Sequence, residues 1–220
     1  RFGFGGLLAS LPVWLNHPAD IARAEYKPVQ FAAARAVGLT IPPTLLTNDA
    51  KAVRAFAKEA DSIIYKPLSG IAYQHDGCRD FIYTQSIEFD QLDDAAIAAT
   101  SCLFQQAVPK EYEVRVTAVD GRCFAARIDA HSDRARVDWR ADYDALTYQL
   151  IEVPGDVRVK IIALLRALRL RFGALDFIVT PSGDWVWLEI NPNGQWAWIA
   201  DLTPRIAAAI ADALEGRTGW

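Results

Sequence analysis

The chain has no methionine, three cysteines and three histidines in 220 residues. Cys78, Cys102 and Cys123 are odd in number and far apart. They form neither a disulfide framework nor a zinc pattern, and they point to a reducing cytoplasm. Their ordinary use is as small, partly buried residues. The scattered histidines offer no Ser-His or Cys-His arrangement, so no protein nucleophile is indicated. No apolar run approaches the ~18 residues that a membrane span needs. Excess positive charge is also missing: 23 Lys and Arg against 27 Asp and Glu leave a net charge of −4, which gives no support for nucleic-acid binding. The first ten residues are apolar but lack the basic region and long core of a signal peptide. The chain begins with Arg1 rather than Met. Together with the absence of methionine, this predicts a fragment, or a sequence from which residues have been lost.

What is present is ordinary for a soluble globular protein: 52% hydrophobic and 23% charged residues, in a length that holds one or two domains with a full core. Residues 18–37 read as one helix, opened by Pro18-Ala19-Asp20 and closed by Gly38. The chain is then extended around Pro42 and Pro43. Thr47-Asn48-Asp49 caps a helix through Ala60. Residues 62–67 form a short buried strand ending at Lys66, 68–80 a polar glycine-containing loop, and 81–84 a returning strand. A small helix over 93–99 precedes strands at 103–107, 114–120 and 122–130, the last two joined by an Asp120-Gly121 turn. Residues 133–150 read as irregular and charged, 157–170 as an amphipathic helix, and 203–214 as a terminal helix. Hairpins followed by helices indicate an α+β design with antiparallel sheets. There is no internal repeat.

The most informative stretch is a pair of apolar strands joined by Pro181-Ser182-Gly183-Asp184. The first, Gly173-Ala174-Leu175-Asp176-Phe177-Ile178-Val179, carries Asp176. The second runs into Leu188-Glu189-Ile190-Asn191-Pro192-Asn193-Gly194. Glu189 and Asn191 are two apart, so on a strand they point the same way. Asp176 can meet them across the hairpin. Acidic residues in a hairpin are commonly just solvated. Strands this apolar are buried, however, and bare carboxylates in them are costly, so a metal is expected. Carboxylate and amide oxygens suit magnesium, which leaves its other positions to water and phosphate.

Other runs accompany this hairpin in a fixed order. They are Asn16-His17-Pro18, Glu25-Tyr26-Lys27-Pro28, Thr47-Asn48-Asp49, Tyr65-Lys66-Pro67-Leu68-Ser69-Gly70, Asp138-Trp139-Arg140, and Glu189 to Trp196. In that order the chain resembles the ATP-grasp superfamily over nearly all of its length. Within it, the chain looks most like the ribosomal-peptide maturases of the microviridin or graspetide type.

The resemblance implies two α+β subdomains, with antiparallel sheets, that grip ATP between them. It places a linker and the start of a central helical region at 1–45, the small subdomain at 46–107 and the metal-bearing C-terminal subdomain at 108–220. An upstream pre-ATP-grasp domain is expected to precede this region. ATP and Mg2+ are the implied cofactors. Asp176, Glu189 and Asn191 would hold the metal, and Lys27 and Lys66 would contact phosphate. Ser69 and Gly70 would cover the phosphates, Gln106 and the Val108 backbone would read the base, and Glu113 would reach the ribose. Arg115, Arg127 and Arg140 would stabilise the transferring phosphoryl group and the acyl-phosphate. One departure stands out. Some members carry an arginine two residues before the metal aspartate, where this chain has Ala174, and Arg127 would take over that role. Trp185 and Trp187 read as hairpin packing, whereas Trp196 and Trp198 could border a peptide groove.

The implied activity is ATP-dependent phosphorylation of Asp or Glu side chains in a ribosomal precursor peptide with leader and core, followed by intramolecular ester or amide formation. A cytoplasmic enzyme, with a homodimer allowed and no nucleic-acid or membrane partner, goes with it. Two rivals remain: a ligase adding free amino acids, as in the ribosomal-protein glutamate ligases, and a non-catalytic nucleotide-binding regulator of the synapsin-like kind.

Overall fold

Pro28 splits the first expected helix. Its ring would collide with the carbonyl four residues back, so α2 (Pro18–Ala24) ends and α3 (Lys27–Ala36) begins anew. Tyr26 between them is extended, at φ −70° and ψ 112°. The structure is a computed structural model that describes residues 2–68, 72–75, 78–81 and 84–218. Ahead of α2 lies α1 (Phe2–Ala9). The chain continues through β1 (Thr44–Thr47), α4 (Ala50–Glu59), β2 (Ile63–Lys66), β3 (Ala72–His75), β4 (Cys78–Phe81), β5 (Gln85–Ile87), α5 (Asp94–Ala99) and β6 (Cys102–Gln106). There follow β7 (Tyr112–Val119), β8 (Arg122–Ala130), α6 (Asp133–Val137), β9 (Leu146–Ile151), α7 (Gly155–Leu168), β10 (Phe172–Val179), β11 (Trp185–Asn191) and α8 (Thr203–Leu214).

The chain divides into two units, and neither is continuous. One comprises Arg1–Ile41, Glu111–Ile128 and Tyr148–Trp220; the other comprises Pro42–Lys110 and Asp129–Thr147. The sequence borders at 45 and 107 treat each subdomain as one block. The structure instead gives the segment between β8 and β9 to the second unit. That segment, read as irregular, contains α6, two 3-10 turns at Trp139–Ala141 and Tyr143–Ala145, and the start of β9. The stretch 68–80, read as a loop, contains β3 and part of β4, which pair antiparallel from Ala72↔Phe81 to His75↔Cys78.

The first unit is built on a five-stranded sheet in the order β11-β10-β7-β8-β9. Alternation along β7 and β10 sends Val114, Val116, Ala118, Leu175, Phe177 and Val179 to one face. There they form a core with Ala24, Ala34 and the buried side of α7. On the opposite face, Val119, Ala126 and Phe172 pack against Ile206, Ala209 and Ala213 of α8. That opposite face also receives Arg115 and Asp176, which occupy the alternate positions. The second unit carries a four-stranded sheet, β1-β6-β2-β5. Ile63, Phe104, Val53 and Ile97 form its core, with Tyr65 packed on it.

Candidate functional site

The hairpin of β10 and β11 contains a bulge. Asp176 pairs with Glu189, but Phe177 pairs with Trp187, so Leu188 is the extra residue. In a regular strand Trp187 and Glu189 would share a face. The bulge reverses the phase between them, as bulges near functional sites do. Trp187 therefore enters the core, fully buried, while Glu189 lies beside Asp176 and Asn191 lies opposite Ala174 on the same side.

Two carboxylates directly opposite each other repel. Each is met by a cation. Arg115 lies opposite Asp176 on β7 and donates from Nη1 to both of its oxygens, at 2.8 and 2.9 Å. Lys27, in the first turn of α3, places Nζ 2.5 Å from Glu189 Oε2. The result is a row, Arg115–Asp176–Glu189–Lys27, across three strands and a helix. Asn191 Oδ1 accepts from the Asn193 N–H at 3.0 Å. Among the described residues no three His, Cys, Asp or Glu side chains converge on one point. The candidate donor set is two carboxylates and an amide, which are the hard oxygens that magnesium takes.

Backbone clamps hold this set. The Gln30 side chain accepts from Ile190 N–H at 3.1 Å and donates to Ile190 C=O at 2.9 Å. Ile190 stands between Glu189 and Asn191 on an edge strand, so Gln30 supplies the hydrogen bonds that a further strand would have made. Buried Asn16 donates to the carbonyls of Phe172 and Pro192, each at 2.8 Å, and accepts from Arg171 and Phe172 N–H. Gly194 closes the loop after Asn191. A Cβ there would meet Ala174 Cβ at 2.5 Å and Arg115 Nη2 at 3.1 Å. This accounts for the departure at position 174: the loop lies where an arginine side chain would leave the strand. Neither Gln30 nor Asn16 emerged from the sequence as a site residue. Gln30 lies in α3 and Asn16 in the loop before α2, and no sequence pattern marked either amide as a clamp.

The other expected residues fall as follows. Glu113 is buried on β7, two positions from Arg115. Arg127 does not join Arg115. It pairs with Val114, whereas Ala126 pairs with Arg115, so Arg127 points to the other face and its guanidinium stacks 3.9 Å from the centre of the Tyr112 ring. The expected arginine cluster therefore loses Arg127. Trp196 and Trp198 pack on the α8 side of the sheet, and Trp198 stands edge-on to Tyr148 at 5.2 Å.

In the second unit, Lys66 ends β2, opposite Leu103, and Val108 is half-buried just beyond β6. Gln106 N–H donates to Pro43 C=O at 3.0 Å. The neighbouring Gln105 is the more telling residue. It is fully buried, donates Nε2 to Thr44 Oγ1 at 2.9 Å, and leaves Oε1 buried with no partner among the described residues. Gln105 and Lys66 both alternate away from the Phe104–Tyr65 core, and so share the other sheet face. Arg140 is held by Asp138: its Nε donates to Oδ1 and its Nη2 to Oδ2, both at 2.8 Å. Asp138 also accepts from Thr84 N–H at 3.3 Å. Burial alone would raise the Asp138 carboxyl, but the hydrogen bonds and charge of Arg140 outweigh it and hold the group below the usual carboxylate range. Ser69 and Gly70 lie outside the described residues.

The model for the ATP-grasp domain of prokaryotic glutathione synthetase matches residues 32–180. The chain belongs to the ATP-grasp family. The most similar solved structures include other ATP-grasp ligases. One is the RiPP-associated ligase of Chryseobacterium gregarium, in complex with ADP and a leader and core peptide. It superposes with a TM-score of 0.93 at 29% identity, over 99% of this chain and 68% of its own. The macrocyclase MdnC of Microcystis aeruginosa MRC, bound to precursor peptide MdnA, gives 0.84 at 32% identity over 99% and 70% of the two chains. D-alanine–D-alanine ligase of Bacillus anthracis, complexed with ATP, gives 0.62 at 15% identity over 87% and 65%, a likeness of fold alone. Comparison with curated proteins gives no match. No helix among the described residues is long and apolar enough to cross a membrane.

Proposed function

We propose that this ATP-grasp ligase activates side-chain carboxylates of a ribosomally made precursor peptide and links them to hydroxyl or amino groups of the same peptide. The carrying observation is the row Arg115–Asp176–Glu189–Lys27, in which two carboxylates converge from rigid strands. The peptide substrate is supported by the leader, core and precursor peptides bound to the two ligases of highest TM-score above.

In this reading a peptide carboxylate oxygen attacks the γ-phosphorus of ATP and ADP leaves. A Ser or Thr hydroxyl, or a Lys amine, then attacks the acyl carbon, loses its proton, and phosphate leaves with the C–O bond. Magnesium held by Asp176, Glu189 and Asn191 would neutralise charge on the phosphates. Lys66 binds phosphate, and Lys27 joins it once nucleotide is present. Gln105 Oε1, which needs a donor, accepts from the exocyclic amine of adenine, beside the backbone of Gln106 and Val108. Glu113 reaches the ribose. Arg115 fixes Asp176, and Arg140, oriented by Asp138, stabilises the developing oxyanion. The setting is the cytoplasm, where ATP and reduced thiols are found.

The test is to incubate the chain with ATP, Mg2+ and candidate Ser/Thr- and Asp/Glu-rich peptides encoded near its gene, and to follow mass. Loss of one water per link, with matching ADP release, is expected. A mass gain with free glutamate and an acceptor would replace this reading with amino-acid ligation. No ADP with any candidate peptide would remove the ligase assignment.

A further inference from the structure

The charge row contains four groups whose formal charges cancel: two guanidinium or ammonium cations and two carboxylates. A divalent cation entering between Asp176 and Glu189 therefore meets two carboxylates that each already hold a cation. One of the two resident cations must give way, and their settings differ. Arg115 is fixed by both oxygens of Asp176 and by the Gln195 carbonyl at 3.3 Å, with its side chain 9% exposed. Lys27 meets Glu189 through Oε2 alone at 2.5 Å, and both side chains are 17% exposed. Lysine is a point charge on a flexible stem, whereas the planar guanidinium is held through both of its terminal nitrogens, Nη1 on Asp176 and Nη2 on Gln195 C=O. Lys27 also opens α3, where the helix dipole opposes a positive charge. Its position is thus held by Glu189, not by its own helix.

We propose that Lys27 is a displaceable stand-in for the metal. It neutralises Glu189 in the nucleotide-free protein and leaves when a divalent cation binds, so that nucleotide phosphate, by drawing Lys27 away, opens the metal site. Metal and nucleotide then bind cooperatively, and part of that coupling runs through one side chain. This rests on the ligand roles proposed above.

The test is a binding cycle, with no turnover involved. Mn2+ affinity is measured by electron paramagnetic resonance of the free ion, with and without ADP, for the wild type, Lys27→Met and Lys27→Arg, each checked for fold by circular dichroism. In the wild type ADP is expected to tighten Mn2+ by about tenfold or more. Lys27→Met should tighten Mn2+ by roughly two- to fivefold without ADP, the size of a partly exposed ion pair. It should do so much less with ADP, so the coupling factor falls. Lys27→Arg should restore the coupling. If Lys27→Met shifts both affinities by the same factor, Lys27 acts only through its long-range field and the displacement is wrong. Unchanged or weaker Mn2+ binding without ADP would overturn it as well. A wild type that binds no Mn2+ even with ADP would remove the metal assignment itself, a different and distinguishable failure.

Discussion

Asp176 and Glu189 face each other across one ladder position, yet their surroundings differ. Asp176 is 6% exposed and grips a buried arginine. Glu189 meets a lysine that solvent still reaches. Removing either carboxylate should abolish product formation, but the stability costs should separate. Asp176→Asn leaves a buried guanidinium facing an amide, which costs about 3–5 kcal/mol. Glu189→Gln weakens a more exposed pair and should cost about 1 kcal/mol or less. Urea denaturation of the two variants checks this, and equal losses would show that Arg115 draws its support from elsewhere. The Glu-x-Asn spacing was legible in the sequence because it is local. The bulge at Leu188 was not, since it depends on which side chains the core accepts. Arg127 was legible in principle: the two-residue Asp120-Gly121 turn sets Val119 against Arg122, and counting back sets Arg115 against Ala126.

At the scale of elements, α3 organises β11. Lys27 and Gln30 are one turn apart and so lie on the same side of the helix. One meets the Glu189 side chain, and the other meets the backbone next to it. The sequence marked where helices run but not this clamp, because a buried glutamine in a helix has no pattern of its own. Gln30→Met keeps length and apolar contact while leaving Ile190 N–H, Ile190 C=O and Ala24 C=O without that partner. Each orphaned group costs about 1–3 kcal/mol. A drop of several kcal/mol in unfolding free energy is expected, together with weaker Mn2+ binding in the presence of ADP. Weaker folding with undiminished Mn2+ affinity would mean that Gln30 supports the helix but does not position the ligands.

For the whole molecule, the chain passes between its two units after residues 41, 110, 128 and 147. Composition does not mark these crossings consistently: Lys110, Glu111 and Glu113 make the second one charged, whereas Pro42 and Pro43 follow the first. One tie between the second excursion and the rest of its unit is a carboxylate. Asp138, on the returning segment, accepts the Thr84 N–H from the earlier one and holds Arg140. Because the folded state lowers its pKa, the stabilisation it brings is fully present above the unfolded value of about 3.9. It is lost as pH falls through the lower folded value. Asp138→Asn should therefore unfold about 1–3 kcal/mol more easily than the wild type at neutral pH, the range for a buried, charge-assisted hydrogen bond. The gap should begin to close below about pH 4, where the unfolded carboxyl takes up its proton, and vanish at lower pH as the folded carboxyl is protonated too. Unfolding midpoints followed by circular dichroism from neutral pH into the acid range would show the two curves converging. Parallel curves would mean that the Thr84 and Arg140 contacts do not depend on the charge of Asp138, and that the segment is held by the packing of Trp139 instead.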